Sequence, residues 1–145
     1  MSLQHLVMDY TFACPPHVLF DRLTDHEGFG SLLGQTIKRV KDGPADALNG
    51  KGAVRRIHLA PGLSFEETVT AYEPPRLMEY RVSRGSPIKQ HWGQLLVSPT
   101  EHGCRLVYRI DFAPRVPGTG KLLARLIQRP IENMLQRLQT EYAAP

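Results

Sequence analysis

An α+β fold, with a seven-stranded antiparallel sheet closed by one long helix, is predicted by three observations. Between residues 52 and 112 five strand-like runs follow one another, parted only by short turns rich in Gly or Pro. Such short connections make neighbours antiparallel, because a parallel pair needs a crossover of a dozen or more residues. Residues 119–142 carry Leu122, Leu123, Leu126, Ile127, Ile131, Met134, Leu135 and Leu138 at helical spacing, with Lys121, Arg125, Arg129, Glu132 and Gln136 opposite. Two short helical segments then stand between a first strand and the meander.

Each element has a local reason. Residues 3–13 read as a strand, and Pro15-Pro16 sets the backbone angle that suits a first helical turn, opening a helix over 16–23. Thr24-Asp25 can cap a second helix over 26–33, which Gly28, Gly30 and Gly34 weaken towards a half-loop. Residues 35–41 return to a strand pattern. The turn formers of 42–50 make a surface hairpin loop rather than a linker, so 1–145 is expected to be one domain. Strands follow at 52–59, 63–73, 76–83, 89–98 and 104–112. The closing helix, about 36 Å long, matches a ten-residue strand of about 33 Å and can lie across the sheet. Pro130 lacks an N–H and crowds the carbonyl of Leu126, so a bend is expected there.

Composition excludes several classes. The hydrophobic fraction of 41% and charged fraction of 22% are ordinary for a globular chain, and no apolar run approaches the ~20 residues that span a bilayer. The first ten residues lack the basic and apolar regions of a secretory signal, so a cytoplasmic setting is expected. The charge of +4 is dispersed along the chain, which argues against a nucleic-acid partner. Cys14 and Cys104 are too few for a disulfide framework and read as reduced thiols. The six histidines form no metal-binding spacing, and neither a metal nor a cofactor is expected. Pro117-Gly118-Thr119-Gly120-Lys121 imitates part of a phosphate-binding loop. Arg115 stands where that motif needs Gly and Leu122 where it needs Ser or Thr, so a glycine-rich helix entry is the better reading.

The residues that fit worst are the most informative. On the strand over 63–73, Glu67 shares a face with Phe65, Val69 and Ala71, and the matching face of the next strand carries Met78, Tyr80 and Val82. A carboxylate there is exposed at an edge, paired in a core, or lining a cavity, since burying it unpaired costs several kcal/mol. The strand over 52–59 contradicts itself. Arg56 and His58 share parity with Val54, whereas Arg55 shares parity with Ile57 and Leu59, so either set can face inward. A cross-strand Arg–Glu pair would anchor a ligand carboxylate, and an exposed edge arginine is the alternative. Trp92, of opposite parity to His91, belongs to the outer face or under a loop.

Local motifs add a resemblance that covers nearly the whole chain. Phe12-Ala13-Cys14-Pro15-Pro16-His17-Val18-Leu19-Phe20 with Leu23-Thr24-Asp25-His26, and Phe65-Glu66-Glu67-Thr68-Val69 with Tyr72-Glu73-Pro74-Pro75-Arg76-Leu77, resemble the polyketide cyclase/dehydrase and lipid-transport group of the START-like or Bet v 1-like superfamily. Gly103-Cys104-Arg105-Leu106-Val107-Tyr108 and the closing helix resemble it too. The resemblance implies a helix-grip fold, in which a curved seven-stranded sheet grips the long helix around an apolar cavity. It specifies fold strongly and activity weakly.

Within such a fold Phe29, Leu33, Phe65, Val69 and Met78 are candidate ligand-binding residues, as are Leu106, Ile127, Ile131 and Met134. The expected guest is a small hydrophobic or amphipathic molecule, lipid-, quinone- or polyketide-like. Glu67, His91, Tyr80 and Tyr108 could converge on it from four neighbouring strands, with Glu67 and His91 trading a proton and the phenols donating to a carbonyl. That set suits enolisation, cyclisation or dehydration, so an enzyme of the cyclase/dehydrase type is the second expectation. The same groups can instead plug a core as a hydrogen-bond network. A module whose basic sheet face docks a macromolecule is the third. The implied pairing of first and last strands would also make Cys14 and Cys104 neighbours.

Overall fold

The structure is a computed structural model that describes residues 3–143, with the side chains of Leu59, Ala60 and Leu63 outside the described residues. Its elements run β1 (Gln4–Phe12), α1 (Pro16–Thr24), α2 (His26–Leu33), β2 (Thr36–Lys41), β3 (Val54–Ala60), β4 (Leu63–Glu73), β5 (Leu77–Arg84), β6 (Ile88–Thr100), β7 (Gly103–Pro114) and α3 (Gly120–Ala143). One antiparallel sheet joins all seven strands in the order β1-β7-β6-β5-β4-β3-β2, so only β1 leaves sequence order, to pair with β7. This is the helix-grip arrangement that the sequence predicts.

Two local expectations are corrected. Helix α2 is helical throughout, because Phe29 anchors it in the core and Gly34, in the left-handed region at φ 73°, returns its N–H to the carbonyls of Gly30 and Ser31. Asp25 occupies the N-cap position without a side-chain cap bond, and Thr24 donates its hydroxyl to the carbonyl of Phe20. The face shared by Phe65, Glu67 and Val69 does not continue to Ala71. A bulge between Val69 and Ala71 shifts the register by one residue, so that Tyr72 lies opposite the buried Met78 and packs on Phe20 with ring centroids 5.6 Å apart.

The core fills the concave side of the sheet. Leu6, Met8 and Phe12 of β1, Leu106, Tyr108, Ile110 and Phe112 of β7, and Leu95 and Val97 of β6 present one alternating face to the helices. Helix α3 seats on it unevenly. Ile131, Met134, Leu135 and Leu138 are buried, whereas Leu122 and Leu126 are 60% and 61% exposed, against the expectation that both belong to the packed stripe. The helix continues through Pro130, and the change in seating falls there.

Gly93 of β6 shows how tightly the sheet holds its inner face. A Cβ there would lie 2.7 Å from Cε1 of Tyr80, whose ring crosses the glycine backbone. Gly93→Ala should cost about 1–3 kcal/mol by overpacking, despite the gain expected from replacing a strand glycine. Urea denaturation reads the difference; equal or greater stability in the variant would contradict this packing.

Candidate functional site

Between the sheet, α2 and the first half of α3 lies a cavity of about 360 Å³. Its roof is apolar, formed by Phe29 and Leu33 of α2 with Leu123, Leu126, Ile127, Pro130 and Ile131 of α3. Its floor is the sheet, and there the polar side chains gather: Arg55 of β3, Glu67 of β4, Tyr80 of β5, His91 of β6 and Tyr108 of β7. Five adjacent strands thus contribute one group each.

Arg55 organises the floor. It is 2% exposed, its Nε donates to Oε1 of Glu67 at 2.8 Å, and its Nη2 forms an ion pair with the same oxygen at 2.8 Å. Its Nη1 faces Nδ1 of His26 at 3.5 Å, and its guanidinium lies 4.6 Å from the ring centroid of Tyr80 and 5.5 Å from that of Phe29. Burial works against the guanidinium charge, but the Glu67 carboxylate prevails and raises its pKa. The fork geometry, with two aromatic rings against the guanidinium, is one that a lysine could not supply.

The remaining groups are held in defined protonation states. The backbone N–H of Val82 donates to Nδ1 of His91 at 3.0 Å, so in the neutral ring the proton sits on Nε2. Burial lowers the pKa of His91, and the nearby Glu67 opposes that only in part. Nε2 stands 3.9 Å from Oε2 of Glu67, too far for a direct hydrogen bond. Tyr80 and Tyr108 hydrogen-bond to each other through their hydroxyls. Burial raises both phenols, Tyr108 to about 12, so they act as neutral donors and not as bases.

All four polar residues predicted from the sequence therefore share one cavity, as do Phe29, Leu33, Phe65, Ile127 and Ile131. Val69, Met78, Leu106 and Met134 do not line it. Each is the next inward-facing residue beyond a lining one, at the end of the sheet where the second half of α3 seats and fills the space, and all are at most 1% exposed. Arg56 and His58 point outward, Arg56 to Glu66 at 2.8 Å. Trp92 is half-buried and donates to Glu79 at 3.4 Å. Two participants escape the sequence reading: Arg55, left between two parities, and His26, read only as a helix start. His26 is fully buried, burial and the charges of Arg55 and Arg39 push its pKa down to about 3, and its Nε2 has no hydrogen-bond partner among the described residues.

A match to a family model settles the kinship of this arrangement: residues 4–143 fit the family described as polyketide cyclase/dehydrase and lipid transport. The chain belongs to that family. No curated protein matches it in sequence. The solved structures similar to this polyketide cyclase/dehydrase and lipid transport family member share its fold at low identity. The Zhui aromatase/cyclase from Streptomyces sp. R1128 superposes with a TM-score of 0.79 at 17% identity, covering 98% of this chain and 94% of the other. Ara h 8.0201 gives 0.74 at 12%, covering 99% and 100%. Norcoclaurine synthase from Thalictrum flavum, in complex with dopamine and hydroxybenzaldehyde, gives 0.69 at 12%, covering 99% and 90%.

In this family member the cavity meets the surface at Leu33, Leu126 and Pro130, which also line a shallow groove with Arg125, Arg129 and Arg137. At the other end of the sheet Cys14 and Cys104 are buried neighbours. Burial raises both thiols, Cys104 to about 12, which keeps them protonated. No described helix is long and apolar enough to cross a membrane.

Proposed function

We propose that this chain binds one small, largely apolar molecule in the internal cavity, with the molecule's polar end against the sheet. The carrying observation is a cavity of about 360 Å³ whose roof is aliphatic and aromatic and whose floor holds Arg55, Glu67, Tyr80, His91 and Tyr108. A packing defect would be far smaller; this volume corresponds to about a dozen water molecules and falls within the range of ligand pockets. The family description, polyketide cyclase/dehydrase and lipid transport, supports a lipid- or polyketide-like guest; a quinone-like guest and a cytoplasmic setting are further parts of the proposal. Titration with N-phenyl-1-naphthylamine, an uncharged fluorescent probe, tests the reading. Binding with a blue shift is expected for the native chain, and Ile127→Trp, which fills the roof, should weaken it roughly tenfold or more with the melting temperature nearly unchanged. A native chain that leaves the probe's emission unaltered would sink the proposal.

A cyclase/dehydrase activity is the second reading, favoured by the Tyr80–Tyr108 pair beside Glu67. Two hydroxyls bonded to each other use one proton and leave one free to donate to a developing oxyanion. Against direct proton exchange stands the 3.9 Å separation of Glu67 and His91, together with the hold of Arg55 on the carboxylate. Docking of a macromolecule on the sheet's outer face has less support, since its charges pair across strands, as in Arg56 with Glu66, Arg105 with Asp9 and His5 with Asp111.

A further inference from the structure

The cavity floor holds two polar atoms that the described protein groups leave unsatisfied. Oε1 of Glu67 takes the Nε bond and the Nη2 contact of Arg55, and among the described residues no hydrogen bond reaches Oε2. In His91, Nδ1 is occupied by the N–H of Val82, and none reaches Nε2. The two atoms stand 3.9 Å apart on neighbouring polar residues of the cavity wall. One offers lone pairs and the other an N–H.

We infer that the ligand of this cavity carries a hydroxyl group seated between Glu67 Oε2 and His91 Nε2, donating to the first and accepting from the second. The guest is then an alcohol, a phenol or an enol with an otherwise apolar body. This deepens the cavity-binding reading and rests on it. An oxygen at about 2.8 Å from both atoms subtends roughly a right angle between them, which a hydroxyl accommodates. Other head groups fail on one side. An ether or ketone accepts from His91 but turns lone pairs toward the Glu67 carboxylate. An ammonium donates to Glu67 but cannot accept from His91. A carboxylate is repelled by Glu67, whose partner Arg55 already spends Nε and Nη2 on Oε1 and turns Nη1 to His26. Beyond this floor the roof is apolar, so the remainder of the guest is hydrocarbon.

Calorimetric titration of the native chain with naphthalene, 2-methoxynaphthalene, 2-naphthol and 2-naphthoate separates the head group from the body. Naphthalene should bind, and 2-naphthol should bind roughly tenfold or more tighter than 2-methoxynaphthalene, the scale of one hydrogen bond to a charged partner; 2-naphthoate should be weakest. In His91→Phe the affinity ratio of 2-naphthol to 2-methoxynaphthalene should fall to about one. Imidazole nitrogen NMR of the native chain provides a second measurement that needs no variant: the Nε2–H signal of His91 should move further downfield with 2-naphthol, which is also held by Glu67, than with 2-methoxynaphthalene. Equal affinity for those two compounds, or a preference that survives His91→Phe, overturns this inference and leaves the cavity reading standing. Absence of naphthalene binding overturns both.

Discussion

Replacing Arg55 by methionine is expected to cost about 3–5 kcal/mol of folding stability, the range for removing one member of a buried ion pair. The loss is not that of an attraction alone. Arg55 is 2% exposed and Glu67 8%, so the variant leaves a largely buried carboxylate on the cavity floor without its ion-pair partner. It also removes the guanidinium from its contacts with the rings of Tyr80 and Phe29. The double variant Arg55→Met, Glu67→Leu should recover most of the loss, because both charges then leave together and the volume remains filled. Urea denaturation of the native chain, both single variants and the double variant measures the coupling. A single variant within about 1 kcal/mol of the native chain would show that the pair is not desolvated as described.

Mild acid should destabilise this protein through a buried histidine. His26 is held down to about 3 against an ordinary 6.5, because a charge on it would be buried beside Arg55. Between those values the unfolded chain binds a proton that the folded chain refuses, so stability is complete above the unfolded pKa and falls as pH drops towards the folded one. The slope is about 1.4 kcal/mol per pH unit for one proton, or roughly 2–3 kcal/mol between pH 6.5 and 4.5. His91, lowered in the same direction by burial, adds to it. Asp9, which Arg105 holds below the usual carboxylate range, titrates beneath this window. Stability measured across the interval should therefore decline steeply, and His26→Phe should flatten the decline; a native chain equally stable at both ends would refute the assignment.

How far the sequence carries can be judged residue by residue. The strands and the closing helix were legible because period-two and helical patterns survive without tertiary knowledge, and the single parity of Glu67, Tyr80, His91 and Tyr108 placed them together. Arg55 was hidden by one irregularity. A two-residue turn at Pro61-Gly62 that pairs Ala60 with Leu63 would continue in register to pair Arg56 with Glu67. The bulge between His58 and Ala60 slips the pairing by one, so Glu67 receives Arg55 and Arg56 turns outward to Glu66. Nothing in the local residues announces that slip. His26 was hidden for another reason: it meets Arg55 of β3 at 3.5 Å, a contact between distant parts of the chain. The division between cavity-lining and core-filling residues likewise depends on where α3 seats, which helical periodicity leaves open.

The uneven seating of α3 gives the cavity walls of unequal stiffness. On the sheet side the groups that would meet a ligand's head are tied crosswise, Arg55 to Glu67, Tyr80 to Tyr108 and His91 to the backbone of β5, so they have little room to retreat. On the helix side Leu123 and Ile127 are half-buried, Leu126 is exposed, and Pro130 cannot supply the amide that would hold the Leu126 carbonyl. Those side chains can shift outward at small cost. Under the proposed binding role, recognition would be strict at one end of the guest and tolerant at the other: molecules that share a head but differ in tail would fit alike, and a changed head would be refused.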